Sequence, residues 1–129
     1  MTQKRTHADT PRQRLSAQSE RLAAQFLATH GYDIERTNVR FPVGEIDIIA
    51  REGNTLCFIE VRSTRSSEWG GPLATITRPK QRRIIQAARW YLSRQPSPLP
   101  EMRFDVVAIE WAQAGEPTVQ LVRGAFEAW

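Results

Sequence analysis

The chain has 129 residues, which suits one domain with a modest hydrophobic core, and its formal net charge of +4 favours an anionic partner such as nucleic acid. A single cysteine, Cys57, excludes an internal disulfide, and with only two histidines a structural zinc site is not expected. No apolar run approaches the roughly 18 residues of a membrane span, and no signal-peptide pattern is visible, so a cytoplasmic protein is predicted.

Residues 1–10 are predicted to form a flexible N-terminal tail, and residues 11–129 a single domain. Thr10, Pro11 and Gln13 have the pattern of a helix start, with threonine as the N-cap and proline at the first helical position. Apolar residues then recur at helical spacing, and Gly31 is a natural stop, so the first helix is predicted over about 11–30.

Three strands are predicted next, over Tyr32–Phe41, Gly44–Ala50 and Leu56–Arg62. Between the second and third strands lies Gly53-Asn54, a plausible two-residue hairpin loop. That loop would place Asp47 directly opposite Glu60, and Glu45 opposite Arg62. A slip of one residue would break both pairings.

A loop over Ser63–Thr77 separates these strands from a second helix, which prolines 96, 98 and 100 end. This helix has a basic outer surface that includes Lys80, Arg82 and Arg83. Strands over Arg103–Trp111 and Thr118–Val122 follow, and then a short tail over Ala125–Trp129. The order α-β-β-β-α-β-β predicts an α/β fold with a mixed central sheet flanked by helices.

Asp47 and Glu60 carry the chemical argument. Carboxylates that face each other across a ladder, with Cβ atoms roughly 4.5–5.5 Å apart, are destabilising unless a cation lies between them. A hard divalent ion such as Mg²⁺ or Mn²⁺ prefers such oxygen ligands. With Arg62 as a cation and Glu20 from the first helix, the set suits metal-dependent phosphodiester cleavage. Two residues have simpler interpretations. Glu45 would form only a salt pair with Arg62, and Glu20 would be a solvated carboxylate on the helix surface.

The pattern GEID, separated by twelve residues from Glu60-Val61-Arg62, resembles the PD-(D/E)xK nuclease superfamily with its restriction-endonuclease-like fold. The segments SERLAAQFLATHGY, NVRFPVGEIDIIAREGNTLCFIEVRSTR, TRPKQRRIIQAARWYL, RFDVVAIEW and GAFEAW resemble the YraN-like family of small bacterial proteins. Archaeal Holliday junction resolvases share the fold and a similar acidic set. The resemblance therefore implies a Mg²⁺- or Mn²⁺-dependent DNA endonuclease, with branched DNA as a candidate substrate and Glu20, Asp47 and Glu60 as metal ligands.

Arg62 departs from this pattern, because the superfamily has lysine at that position. Arginine stays protonated and cannot act as a base. Three interpretations remain open. Arg62 substitutes for the lysine, or Lys80 reaches the site from the second helix, or the protein is a catalytically degenerate nucleic-acid-binding module on a nuclease fold.

Further residues are candidates for nucleic-acid contact. Arg65 and Trp69 follow the third strand, where they could contact phosphate and stack on a base, and Lys80, Arg82 and Arg83 could bind the backbone. Such a basic helix face is more often merely solvated. A different class of function, an interaction protein, would use Trp111, Phe126 or Trp129 to dimerise or to dock on a partner. A two-fold homodimer is also compatible with a nuclease.

Overall fold

The computed structural model describes residues 10–65 and 76–128. The predicted tail lies almost wholly outside the described residues, as do Trp69 and Trp129. The described elements, in chain order, are α1 (Pro11–Thr29), β1 (Tyr32–Phe41), β2 (Gly44–Glu52), β3 (Thr55–Thr64), α2 (Arg78–Ser93), β4 (Glu101–Glu110) and β5 (Thr118–Phe126).

The five strands form one mixed sheet in the order β1-β2-β3-β4-β5. Three of the four ladders are antiparallel, whereas β3 and β4 run parallel and are connected through α2. A parallel pair needs a long crossover, and the helix provides it. The predicted α/β fold with its element order α-β-β-β-α-β-β is therefore confirmed.

Both faces of the sheet are covered, which explains why both faces of β2 and β3 are largely apolar. On one face, Ala23 and Leu27 of α1 pack in a cluster that includes Ile48 and Cys57. On the other face, Ile84, Ile85, Ala87 and Ala88 of α2 pack in a cluster that includes Phe58. Within the described segments, neither helix is long and apolar enough to cross a membrane.

The contact between α2 and β2 depends on Gly44. A Cβ atom built at this position would lie 3.0 Å from the backbone oxygen of Arg83 and 3.7 Å from the Cβ of Ala87. The first distance is shorter than ordinary van der Waals contact, so a side chain would push the helix away from the strand. Glycine here holds the start of β2 directly against α2.

The β2–β3 hairpin has the predicted register, with Ile49 opposite Phe58 and Glu52 opposite Thr55. Gly53 has φ +61°, which suits the first position of a tight hairpin turn. The ladder ends at the Ile48–Ile59 pair. Beyond that pair, β2 remains bonded to β1 as far as Gly44, and β3 remains bonded to β4 as far as Thr64. The sheet therefore opens between β2 and β3.

The last strand is longer than its predicted range of Thr118–Val122 and extends to Phe126. The ladder with β4 is irregular near Gly124, which has φ +61°, and resumes where Phe126 pairs with Phe104. The two phenylalanine rings stack with centroids 4.9 Å apart. The prediction of a tail from residue 125 was wrong because the glycine irregularity conceals the continuation of the strand.

A polar cluster, here named the Arg103 network, lies on the α1 face near the β2–β3 turn. Buried Asp105 accepts hydrogen bonds from the Tyr32 hydroxyl (2.8 Å), from Arg103 Nε (2.7 Å) and from the Gly124 amide (2.9 Å). Arg103 also donates to Glu52 (2.7 Å). The members of the network are Tyr32, Glu52, Cys57, Arg103, Asp105 and Arg123.

Candidate metal and nucleic-acid site

Asp47 and Glu60 occupy the position at which β2 and β3 part, one step beyond the last paired residues of the ladder. We call this pair the carboxylate notch. Because the ladder has ended, the Val61 amide has no strand carbonyl opposite it there, and it donates to Asp47 Oδ2 at 2.8 Å. Both carboxylates are half-buried between the two helices. The expected proximity of the two side chains therefore comes from the end of the ladder rather than from a regular cross-strand pair.

The electrostatics of the notch are unfavourable for two negative charges. Burial, together with the negative charge of Glu60, raises the pKa of Asp47 well above its ordinary value, although the Val61 amide opposes this shift. Burial also raises the pKa of Glu60, against the opposing effects of Arg62 and Lys80. Desolvation and like charge both disfavour the ionised form of a carboxylic acid. The pair therefore holds protons more tightly than exposed carboxylates do.

Two clefts meet at the notch, one beneath each helix. The α2-side cleft has a volume of about 630 Å³, and the α1-side cleft about 420 Å³. Five charged residues line both clefts: Arg40, Glu45, Asp47, Glu60 and Arg62. Lys80 and Arg83 line only the α2-side cleft, whereas Glu20 lines only the α1-side cleft.

The two clefts consequently differ in charge. The α2-side cleft has four cationic side chains against three carboxylates. The α1-side cleft has two cationic side chains against four carboxylates. A polyanion is favoured on the α2 side, and a metal cation is favoured on the α1 side, where Glu20 adds to the notch.

Arg62 and Lys80 are the cations that act on Glu60. Arg62 Nη1 lies 3.5 Å from Glu60 Oε1. Lys80, in the first turn of α2, is half-buried in the cleft rather than on the solvent-facing outer surface that the sequence predicted. The pKa of Lys80 is lowered, mainly by burial and to a smaller extent by repulsion from Arg62. The structure therefore brings both candidate cations to the carboxylate notch.

Glu20 is the third predicted carboxylate. It is half-buried on α1 and lines the same cleft as Asp47 and Glu60, whose negative charge it reinforces. Within residues 10–65 and 76–128, however, no three His, Cys, Asp or Glu side chains are close enough together to hold a metal. Glu20 is thus placed beside the notch, and a change of its side-chain conformation would be needed to complete a three-carboxylate set.

The predicted pairing of Glu45 with Arg62 is wrong. The β2–β3 ladder ends before it reaches these residues. Glu45 instead pairs with Arg40 in the β1–β2 ladder. Arg40 Nε lies 3.6 Å from Glu45 Oε2, and both side chains are well exposed. The interaction is the plain salt pair that was the alternative for Glu45, although its partner differs.

The remaining predicted residues are more dispersed. Arg83 lines the α2-side cleft, whereas Arg82 is exposed on α2 and Arg65 is exposed directly after β3. Trp111 donates its indole N–H to Ser19 Oγ at 2.9 Å, and Phe126 stacks on Phe104, so both aromatic residues have contacts within the chain. The homodimer and the cytoplasmic location stay predictions.

Sequence reasoning missed three residues that line the clefts: Asn38, Arg40 and Val43. Asn38 lies between the Thr37–Ile48 and Val39–Ile46 pairs, beside Asp47, and has φ +51°. Asparagine tolerates this left-handed conformation better than most residues, which is a weak signal in a sequence. Arg40 precedes the β1–β2 turn and Val43 lies in it, and their closeness to GEID was the available clue.

Taken together, the fold and the site define an α/β protein whose mixed sheet opens at an acidic pair beside a basic cleft. The chain belongs to the family described as "Uncharacterised protein family UPF0102", whose sequence model matches residues 19–109. That range contains Glu20, the carboxylate notch, Arg62 and Lys80. The membership agrees with the resemblance to the YraN-like family.

Bacterial relatives resemble the chain over most of their length. It is 44% identical over 117 residues to a UPF0102 protein of Desulfosudis oleivorans, covering 91% of this chain and 93% of the relative. It is 43% identical over 115 residues to one of Symbiobacterium thermophilum, covering 89% and 98%. A third, from Chromohalobacter salexigens, is 40% identical over 127 residues, covering 96% and 99%.

Proposed function

We propose that the protein is a metal-dependent DNA nuclease whose site is the carboxylate notch. The observation that carries this proposal is that two neighbouring carboxylates at the junction of two clefts both have raised pKa values: burial raises both, and the charge of Glu60 adds to the effect on Asp47. A bound cation would remove the repulsion between the two acidic residues of the notch. Perturbed carboxylates in a cleft are typical of functional sites.

The residues at the notch fit a divalent ion. Asp47 and Glu60 supply hard oxygen ligands, which Mg²⁺ and Mn²⁺ prefer, and Glu20 can add a third. A bound ion would lower the pKa of a water molecule and offset negative charge on the phosphate. The protein's own contribution is to hold the two carboxylates in place, through the Val61 amide on Asp47 and through Arg62 on Glu60.

The charge of the clefts supports an orientation for the substrate. The DNA backbone would lie in the α2-side cleft, where Arg62, Lys80 and Arg83 contact the phosphates. Hydrolysis forms a bond between a water oxygen and phosphorus, breaks one P–O ester bond and gives a proton to the leaving oxygen. Lys80 would donate that proton, because burial lowers its pKa whereas an arginine retains its protons.

The test is cleavage of labelled single-stranded, duplex, flap and four-way-junction DNA in Mg²⁺ and in Mn²⁺. We expect cleavage by the wild-type protein and a loss of at least about 100-fold in Asp47→Ala, because a metal ligand is removed. Asp33→Ala is the matched control, since Asp33 is an exposed aspartate on β1 away from the notch. Cleavage by Asp47→Ala at the wild-type rate would refute the proposal.

A second candidate function is supported by the contact between Arg62 and Glu60. An arginine 3.5 Å from this carboxylate offsets its charge and competes with a metal ion for it. The protein would then be a non-catalytic DNA-binding module on a nuclease fold, with binding that weakens as salt increases.

The variants Arg62→Lys and Lys80→Met separate the two functions. For a nuclease that uses Lys80, Lys80→Met abolishes cleavage, and Arg62→Lys leaves it within about tenfold of the wild-type rate. For a degenerate module, the wild-type protein binds DNA without cutting it, and cleavage appears only in Arg62→Lys. DNA affinity is measured in parallel, so that loss of binding is not mistaken for loss of catalysis.

A further inference from the structure

The β1–β2 turn is an apolar projection at the edge of the basic α2-side cleft. Its two connecting residues, Pro42 and Val43, are both exposed and both line the cleft. Among the described residues, the exposed large hydrophobic side chains are Val43 at 41% and Leu99 at 51%. Leu99 lines a separate surface beside Pro98 and Pro100, so only Val43 faces the cleft.

The requirements of the turn do not explain this valine. Tight turns ordinarily use Gly, Pro, Asn, Asp or Ser, and a β-branched residue has no advantage at such a position. An exposed valine also loses the free energy that its burial would supply. A ligand surface that is itself apolar would provide that burial.

The turn is held rigidly in place. The β1–β2 ladder is paired up to Phe41 and Gly44, on either side of the two connecting residues. The Phe41 ring packs edge-on against Tyr91 of α2, with centroids 6.1 Å apart. Gly44 is in close approach to the α2 backbone at Arg83. An apolar turn that is held at both ends can contact a ligand without changing its own conformation.

The surroundings of the turn indicate the ligand. Arg40, Arg62, Lys80 and Arg83 line the same cleft and would bind the phosphates of a nucleic acid. The apolar surface of a nucleic acid is the face of its bases, which is accessible only where stacking is interrupted. Proteins that distort DNA commonly insert an apolar side chain at such a step.

From this arrangement, and resting on the proposed function, we infer that Val43 contacts an unstacked base and makes the cleft selective for DNA with interrupted stacking. The favoured substrate class is branched or flapped DNA, whose bases are already partly unstacked at the branch point. A continuous duplex would bind less tightly, because the energy of unstacking must be supplied by the protein.

The experiment compares binding of a four-way junction and of a continuous duplex, by fluorescence anisotropy with the DNA labelled at one end. All proteins carry Asp47→Asn, so that the DNA remains intact. We expect the parent protein to prefer the junction by at least about fivefold, and Val43→Ser to lose that preference with its duplex affinity unchanged. Val43→Ile should retain it. Leu99→Ser, which removes the other exposed large hydrophobic residue, should also retain it.

Two results would overturn the inference: no preference in the parent protein, or an unchanged preference in Val43→Ser. A 2-aminopurine base at the branch point gives a second readout, since its fluorescence should rise on binding to the parent protein and not to Val43→Ser. A protein that binds no DNA at all would refute the proposed function as well. Binding without preference would refute only the role of Val43.

Discussion

The Arg103 network extends from Glu52, at the turn of the β2–β3 hairpin, to Asp105, which pairs with Ile59. Both carboxylates are surrounded by donors from their own chain. Hydrogen bonds from Arg123, and then from Arg103, lower the pKa of Glu52 to about 2. Burial alone would raise the pKa of Asp105, but the donors Arg103, Gly124 and Tyr32 outweigh it and lower that pKa. At the open end of the same hairpin, the pKa values of Asp47 and Glu60 are raised.

The difference shows which carboxylates the fold uses for its own stability. Those of the Arg103 network are neutralised within the chain, and no buried side-chain nitrogen or oxygen of the described residues lacks a hydrogen-bond partner. Those of the carboxylate notch have raised pKa values, because their contacts within the chain do not outweigh the cost of burying their charge. Buried acidic residues that stabilise a fold are paired, whereas residues that await a ligand are not fully compensated.

The largest effect expected is in the Arg103 network. Asp105→Ala should lower the free energy of unfolding by about 3 kcal/mol, because Arg103, Tyr32 and the Gly124 amide each lose an acceptor. Urea denaturation at pH 7 measures this change. Asp47→Ala serves as the comparison and should cause no such loss. Equal destabilisation by the two variants would remove the distinction between the two ends of the hairpin.

Divalent ions should act on the notch alone. At a Mg²⁺ or Mn²⁺ concentration near 100 times the dissociation constant, the free energy of unfolding should rise by about 2.7 kcal/mol. Thermal unfolding with and without the ion, at constant ionic strength, measures the effect. Asp47→Asn should abolish it, whereas the matched variant Asp33→Asn should not. An equal rise in Asp47→Asn would indicate that the ion binds elsewhere.

In the absence of divalent ions, Asp47→Asn should stabilise the protein at pH 7.5 by about 1 kcal/mol, because it removes a buried charge and its repulsion with Glu60. The folded protein holds the Asp47 proton more tightly than the unfolded chain does, so its stability falls as the pH rises above the unfolded pKa of roughly 4. The gain should therefore shrink as the pH is lowered towards 4. Denaturation curves of both proteins at several pH values, with chelator present, measure this difference in the free energy of unfolding. A difference that stays constant with pH would contradict the reasoning.

For Glu52 the dependence on pH has the opposite sign. Its pKa of about 2 lies below that of the unfolded chain, so its contribution is present above pH 4.5 and is lost as the pH falls towards 2. Arg123→Ala removes its exposed partner and should cost only about 0.5 kcal/mol at pH 7. Acid titration of both proteins by circular dichroism checks the sign. A variant that resisted acid better than wild type would contradict it.

Much of the fold could be predicted from the sequence because local signals agreed with the tertiary structure. Thr10 and Pro11 start α1 as expected, and Gly53-Asn54 fixes the hairpin register that brings Asp47 and Glu60 together. The extension of β5 could not be predicted. Its irregularity at Gly124 is stabilised by Asp105, a residue distant in sequence.

The site was only partly predictable for a similar reason. Motif spacing placed Asp47 and Glu60, but the sequence gives no sign that the ladder ends at Ile48, so the pairing of Glu45 was assigned to the wrong strand. The burial of Lys80 and the contribution of Arg40 and Val43 to a cleft depend on how α2 packs against the β1–β2 turn. Such a packing arrangement has no signature in local periodicity.

The hydrogen bond from the Val61 amide to Asp47 has a consequence for the timescale of solvent exchange. Neighbouring amides of β3 are held by strand carbonyls, whereas this one is held by a carboxylate that titrates. Its hydrogen–deuterium exchange rate should therefore change with the protonation of Asp47 and with any ion that competes for Oδ2. A single backbone amide thus serves as a built-in reporter of the occupancy of the site, readable by NMR without any label on the ligand.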